Sequence, residues 1–178
     1  MMAVQKQAAR GKSATRRVPL RRSIAVGTMC LAGEFLNAAD TLATPGATVR
    51  SGRDPIKVPL YLYGHALELM AKAVLVCAGT DEGRLRRIGH DLTAAFRAAR
   101  RQFGAIALPL TSRDYAILGM LSPYYHEKDF EYLAVGFRRY PDPADVQEFA
   151  RRLFAQLSPA INAAVRAWSR ARPKGRTA

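Results

Sequence analysis

The sequence has little of what metal sites and secreted small domains are built from. It contains two cysteines and three histidines in 178 residues. Cys30 and Cys77 both lie in apolar helical stretches, and the histidines are scattered, so no group has the spacing of a zinc site. Free cysteines of this kind are typical of a reducing compartment. We therefore predict no metal, no cofactor and a cytoplasmic location.

Long apolar runs are missing as well. No uninterrupted apolar run reaches the length of a membrane span, so we expect a soluble chain without a membrane partner. Arg21-Arg22 and the apolar residues after them superficially resemble a secretory signal, but apolar residues continue at three-four spacing well beyond it. This pattern favours an amphipathic helix from Ser23 to Ala43. Its predicted inward stripe consists of Ile24, Thr28, Leu31, Phe35, Ala38 and Leu42.

Acidic residues are missing from both ends of the chain. Residues 1–22 carry seven bases and residues 166–178 carry five, and neither range has an acid. The formal net charge of +14 therefore belongs mostly to the ends. Such ends either add salt-dependent affinity for a polyanion or only keep the chain soluble, and both readings stay open. We predict a disordered basic arm at 1–22, a helical bundle at 23–170 and a basic tail at 171–178.

The stretch from Tyr61 to Leu92 organises the predicted fold. Its first half is apolar nearly all round and rich in helix-forming residues, which is typical of a helix in the middle of a bundle. Further helical patterns precede and follow it. The last begins after Asp142-Pro143 and is expected to be kinked or divided by Pro159. We predict an all-α bundle of about five helices.

Four polar residues interrupt the central apolar helix and share one face of it. They are Tyr61, His65, Glu68 and Lys72. A polar column in a core must find partners, because an unpaired buried charge costs several kcal/mol. The column either ties the helix to a neighbour or lines a groove for a phosphate or base. For the tie, we predict that Glu68 is buried, pairs with Lys72, and takes Arg139 or, second, Arg87 from another element.

Two segments resemble the HEPN domains of bacterial proteins. The first is a helix of the form A-L-E-L-x-x-K-A-x-L followed, after a short loop, by Gly89-His90-Asp91-Leu92. The second is Arg139-Tyr140-Pro141 before the long last helix. The matches span Tyr61 to Trp168. This resemblance implies an all-helical, often dimeric bundle in families concerned with RNA cleavage, RNA binding, stress and phage defence, so we expect a homodimer.

The catalytic motif of that family is where this chain departs from the pattern. In nuclease members the resemblance implies metal-independent RNA cleavage by an Arg and a His, spaced R-x(4–6)-H near the last core helix. No histidine follows Arg138 or Arg139 at that spacing. Arg84 and His90 match by count, but about one such match is expected by chance. We therefore expect a non-catalytic protein that associates with RNA or a nucleotide, in a defence, toxin–antitoxin or stress system.

Two alternatives stay open. One is a metal-independent endoribonuclease that uses Arg84 and His90, and the other is a structural, protein-interaction bundle whose partner is encoded nearby. Binding is expected at the polar column or at the segment from Tyr124 to Tyr140, read as an extended loop because Pro123 stops the preceding helix. Aromatic and basic side chains alternate there, so the rings either stack on unpaired bases or pack against the bundle. The candidate RNA- or nucleotide-binding residues are His65, Glu68, Lys72, Tyr124, Tyr125, Lys128, Arg138, Arg139 and Tyr140.

Overall fold

A computed structural model of the chain describes residues 5–43, 57–102, 108, 110–127 and 139–171. Side chains are described from Ser23 onward, apart from Ser169 and Ala171. Within these ranges the chain forms six helices and no strand, which confirms the predicted all-α bundle. The helices are α1 (Gln5–Ala43), α2 (Lys57–Cys77), α3 (Glu82–Ile88), α4 (Leu92–Gln102), α5 (Ser112–His126) and α6 (Pro143–Ala171).

The helix α2 is at the centre of the bundle, as its sequence predicts. It packs against α1, α4, α5 and α6. Among the described helices it is also the one long and apolar enough to cross a membrane, and 72% of its most apolar window is buried inside the bundle. Burial on nearly every side explains why its sequence is apolar nearly all round.

The buried face of α1 is not the predicted one. Ala25, Met29, Ala32, Leu36 and Ala39 face the core, whereas Ile24, Leu31 and Leu42 of the predicted stripe are 47%, 41% and 39% exposed. Both sets have three-four spacing, so periodicity alone does not choose between them. The set rich in alanine lies inside because small side chains let the α1 backbone approach its neighbours closely.

Several helix boundaries differ from the predicted ones. The first helix begins at Gln5 rather than Ser23, because alanine, glutamine, lysine and arginine favour a helix even without an apolar stripe. A helix, α3, replaces the charged loop predicted after α2, and Asp81 caps it by accepting a hydrogen bond of 2.9 Å from the Arg84 backbone N–H. The last helix is one continuous element that includes Pro159.

The helix α5 also continues beyond its predicted end. Its N-terminus has a capping box between Thr111 and Asp114, but Pro123 lies inside the helix, which runs to His126. Pro123 and Gly119 are both exposed, so the Gly119 carbonyl that loses its N–H partner can bind water instead. The rest of the predicted extended loop, residues 128–138, is outside the described residues.

A glycine ends α2 as predicted. Gly79 has φ +89, a conformation that a side chain would strain. Its N–H donates to the Val76 carbonyl (3.0 Å) and the Thr80 N–H donates to the Leu75 carbonyl (2.9 Å). These two hydrogen bonds make a Schellman motif, which closes α2 and turns the chain toward α3.

One half-buried carboxylate ties three helices together. Asp40 of α1 accepts hydrogen bonds from the Tyr63 hydroxyl (2.7 Å), Gln147 Nε2 (2.8 Å) and Arg151 Nε (2.6 Å). Burial alone raises the pKa of Asp40, but these hydrogen bonds outweigh it and hold the pKa below its usual value. Asp40 is therefore ionised at neutral pH and its partners come from α2 and α6, which makes it a structural tie.

Candidate functional site

Four polar side chains surround one buried carboxylate in the middle of the bundle. The carboxylate is Glu68 of α2, whose residue is 2% exposed. We call the group the Glu68 cluster; it consists of His65, Glu68, Lys72, His90 and Tyr125. Three segments distant in sequence contribute to it, namely α2, the turn between α3 and α4, and the last turn of α5. Glu68 is thus buried and paired with Lys72, as predicted for a tie, while His65 and Lys72 of the same column remain partly exposed.

The described polar partners of Glu68 are all hydrogen-bond donors. Tyr125 donates its hydroxyl to Oε2 at 2.5 Å, and Lys72 forms an ion pair with Oε1. His90 Nδ1 donates to Oε2 at 3.1 Å, and His65 Nδ1 is 3.7 Å from the same oxygen. Burial raises the pKa of Glu68, but the hydrogen bonds from Lys72, Tyr125 and His90 together hold it below its usual value. Glu68 is therefore ionised at neutral pH.

The hydrogen bonds around Tyr125 fix how the neighbouring histidine is protonated. The Tyr125 hydroxyl has one proton, which it donates to the Glu68 carboxylate. Its oxygen therefore accepts from His65 Nδ1, 2.7 Å away. Burial lowers the pKa of His65, Glu68 opposes this effect, and the proximity of His90 and Lys72 lowers the pKa further. His65 is therefore neutral at pH 7.

The turn that carries His90 is held from both sides. Gly89 has φ +59, which suits glycine at the end of α3. Asp91 caps α4 by accepting from the Ala94 backbone N–H at 2.9 Å. Ser122 of α5 donates its hydroxyl to the same Asp91 oxygen at 3.1 Å. Because α4 and α5 both hold Asp91, His90 is fixed beside Glu68 while more than half of its side chain, 54%, remains exposed.

The predicted partner of Glu68 from another element is wrong. In the described part of the chain, Glu68 is not paired with Arg139 or Arg87. Arg139 is exposed, and its backbone N–H and carbonyl instead bond the Tyr124 hydroxyl at 3.3 and 3.0 Å. Tyr125, next in sequence to Tyr124, reaches Glu68. Adjacent tyrosines of α5 therefore connect the two segments, one to the backbone of Arg139 and one to the cluster.

The structure describes some of the remaining candidate residues and leaves others outside the described ranges. Tyr140 packs its ring against Tyr124, with centroids 4.9 Å apart, which is the packing alternative for this aromatic segment. Lys128 and Arg138 lie outside the described residues. Arg84 is on the exposed surface of α3, and no described contact joins it to His90. The structure thus brings His90 to Glu68 and not to Arg84.

The sequence analysis did not predict the roles of two members of the Glu68 cluster. His90 was predicted to act only in the endoribonuclease alternative with Arg84, and not as a partner of Glu68. Tyr125 was assigned to a loop. A signal for both exists, because a buried carboxylate needs several donors and a helix extended by one turn past Pro123 would present Tyr125 inward. Within the described residues, no group of three or more histidine, cysteine or carboxylate side chains could hold a metal ion.

Comparisons with known proteins give no relative for the chain. No family model, no curated protein and no solved structure matches it.

Acidification should destabilise the protein through His65 before it affects the carboxylates. The folded-state pKa of His65 is lowered, so the unfolded chain takes up this proton first as the pH falls through about 6.5, and stability falls with it. Glu68 has a lowered pKa, so its contribution is present above its unfolded value and is lost at more acidic pH. Urea midpoints from pH 8 to pH 5 should fall less steeply for His65→Gln than for the parent.

The control is His126→Gln, which removes an exposed histidine that is not part of the cluster. It should keep the parent's pH dependence. An equal slope for His65→Gln and the parent would show that His65 is not the group that destabilises the fold.

Proposed function

We propose that the protein is a HEPN-like helical protein that associates with RNA or a nucleotide without cleaving it, within a defence, toxin–antitoxin or stress system. The observation that supports this most is the arrangement of nitrogen groups around Glu68. His65, Lys72 and His90 converge on one carboxylate, and their side chains keep 27%, 24% and 54% of their surface exposed. Lys72 pairs with Glu68 through its ammonium group, which has three N–H donors, so those not bonded to Glu68 can donate to a phosphate oxygen.

Three of the five residues of the Glu68 cluster belong to the segments that resemble HEPN domains. Glu68 and Lys72 are the polar residues of the A-L-E-L-x-x-K pattern, and His90 is that of Gly89-His90-Asp91-Leu92. These three side chains meet in space although 22 residues separate Glu68 from His90. This contact between their side chains is a structural reason for both halves of the first motif to occur in one chain. It favours the family assignment.

Further features of the described residues suit a nucleic acid, which is a polyanion that carries nucleobases. Arg139 is exposed, and its backbone bonds the hydroxyl of Tyr124, whose ring packs against Tyr140. Cations near aromatic rings suit single-stranded nucleic acid. The helices α3 and α4 add exposed arginines whose charged groups are not needed for apolar packing. These are Arg84, Arg86, Arg87, Arg97, Arg100 and Arg101. Together with the basic ends of the chain, they favour binding that weakens steeply as salt rises.

Binding of labelled single-stranded RNA, followed by fluorescence anisotropy across a salt series, tests the proposal. Lys72→Met should weaken binding about fivefold and lower the salt slope by about one, as for loss of one phosphate contact. Arg113→Met is the matched control, because Arg113 is an exposed base that pairs with Asp145 away from the cluster. It should change binding much less. No binding at low salt, or equal losses in the two variants, would contradict the proposal.

The Glu68–His90 pair favours one second candidate, a metal-independent endoribonuclease. A carboxylate that accepts from His90 Nδ1 leaves Nε2 of the neutral ring as a proton acceptor, and the ring is more than half exposed. In this candidate, Glu68 orients His90, and the structure shows no described contact between His90 and Arg84, the partner predicted from the sequence. RNA recovered from the binding mixtures in EDTA decides between the candidates. Shortened RNA with the parent and intact RNA with His90→Ala would favour cleavage.

A further inference from the structure

A groove with a volume of about 240 Å³ lies between the start of α4 and the end of α5. We call it the α4–α5 groove. Its volume is just below the roughly 300 Å³ at which pockets for drug-sized ligands begin, so it suits one small ring system rather than a larger ligand. The residues that line it are Asp91, Thr93, Gly119, Ser122, Pro123 and His126.

The groove has two hydrogen-bond acceptors that the fold leaves available. Pro123 has no N–H, so the Gly119 carbonyl has no donor four residues later in α5. Gly119 has no side chain to cover this carbonyl, and a Cβ added there would meet nothing within 4 Å. Asp91 accepts from the Ala94 N–H and the Ser122 hydroxyl through Oδ1. In the described part of the chain, its Oδ2 has no hydrogen-bond partner.

Ser122 holds the Asp91 carboxylate in one orientation. The residue is 6% exposed. Its hydroxyl donates to Asp91 Oδ1 at 3.1 Å and accepts from the Thr93 backbone N–H at 3.4 Å. Because α4 and α5 both fix the carboxylate, little side-chain freedom remains to be lost when Oδ2 accepts a further hydrogen bond. The acceptor is therefore preorganised for a ligand.

The acceptors exclude most classes of ligand. A phosphate or carboxylate would bring its own acceptors against Asp91 and be repelled. The net charge of +14 repels an ammonium or guanidinium group. A calcium ion takes about six to eight oxygen ligands, far more than one free carboxylate oxygen and one carbonyl provide. The groove therefore suits an uncharged, planar group with two N–H donors on one edge.

Among the RNA bases, guanine is the one with two adjacent donors on its Watson–Crick edge, N1–H and the 2-amino group. Its neighbouring O6 is an acceptor, and the imidazole N–H of His126, which also lines the groove, can donate to it. Adenine and cytosine have a donor beside an acceptor on this edge, and uracil has one N–H between two acceptors. Each of these would place an acceptor against Asp91 or Gly119, which costs binding free energy.

The α4–α5 groove adjoins the Glu68 cluster. His90 of the cluster and Asp91 of the groove are consecutive residues. The helix α5 contributes Tyr125 to the cluster and Ser122 to the groove. A phosphate attracted to Lys72 and His90 therefore brings its nucleotide beside the groove, and unstacked bases are commonly recognised on their Watson–Crick edges.

We propose that the α4–α5 groove is a guanine subsite, in which the Asp91 carboxylate and the Gly119 carbonyl accept hydrogen bonds from N1–H and the 2-amino group of the base. This inference rests on the proposed function, because the Glu68 cluster holds the phosphate of the same ligand. It adds the identity of one base to a proposal that otherwise concerns any RNA or nucleotide.

Fluorescence anisotropy with labelled oligouridine hexamers that carry one central guanosine, inosine or adenosine tests the subsite. The full chain should bind the guanosine hexamer about tenfold more tightly than the adenosine hexamer, at the low end of what two base-edge hydrogen bonds discriminate. Inosine lacks the 2-amino group alone, so its affinity should lie between the two. Asp91→Asn keeps an oxygen for Ala94 and Ser122 but puts an NH₂ donor in place of Oδ2. It should bring the ratio of the two affinities close to one.

Gly119→Leu tests the groove by filling it. An added side chain meets nothing within 4 Å of its Cβ, so helix content by circular dichroism should stay at the parent's level while the guanosine preference is lost. Gly27→Leu is the matched control, because it makes the same change at a helical glycine of α1 whose added Cβ also meets nothing. It should keep the parent's preference.

The outcomes separate the subsite from the proposed function. If the parent bound none of the hexamers at low salt, the proposed function and the subsite would both be wrong. Binding with equal affinity for the three hexamers would overturn the subsite alone. A guanosine preference that Asp91→Asn and Gly119→Leu both leave intact would also overturn it, because the base would then be recognised elsewhere on the protein.

Discussion

Glu68→Ala should lower the free energy of unfolding by about 3 kcal/mol, the low end of the range for breaking a buried ion pair. The substitution leaves Lys72, His90 and the Tyr125 hydroxyl without their shared acceptor. Tyr125 is buried, so its hydroxyl loses the Glu68 acceptor without gaining water. Lys72 and His90 are partly exposed and can be hydrated, which limits the loss. Urea unfolding with a shared m-value measures the difference.

The chain provides a matched control for this substitution. Glu82 is also a helical glutamate with a base four residues later, and it bonds Arg86 at 2.6 Å. Both partners are more than 70% exposed, so Glu82→Ala should have no measurable effect. Equal effects of the two substitutions would mean that Glu68 is not a structural tie and would move the balance toward a role in ligand binding alone.

The sequence predicts the central helix and its buried acid because both follow from local pattern. An acid on a helix that is apolar nearly all round has to be buried, and Lys72 is four residues away. The sequence does not say which side chains of other helices arrive beside Glu68. Arg139 was chosen for its charge and geometry, but the donors present are the hydroxyl of Tyr125 and the ring of His90. Their approach depends on how α5 and the α3–α4 turn pack, which no local pattern encodes.

Two further errors have a physical reason in common. Pro123 is usually a helix stop, yet the exposed position of Gly119 lets α5 continue for another turn. On α1, the larger apolar residues were placed inside, yet the stripe with three alanines packs there. In both cases propensity and periodicity allow two outcomes, and tertiary packing selects one of them.

Gly64→Ala should lower the free energy of unfolding by about 2 kcal/mol, although alanine is the better helix former. Gly64 lies on α2 directly under the Tyr125 ring, and an added Cβ would be 2.9 Å from Tyr125 Cδ2. The ring has little room to move, because Tyr61 and His65 pack beside it and its hydroxyl bonds Glu68. Either the ring moves and loses these hydrogen bonds, or α5 moves away from α2.

Gly27→Ala separates this steric effect from helix propensity. Gly27 is in α1, and an added Cβ there meets nothing within 4 Å. Gly27→Ala should therefore raise the free energy of unfolding by up to about 1 kcal/mol, the gain expected for alanine over glycine in an exposed helix. The two substitutions are chemically identical and should act in opposite directions in urea unfolding. If Gly64→Ala also stabilised the protein, Tyr125 would not be held in place over α2, and the geometry of the Glu68 cluster would not depend on this close approach.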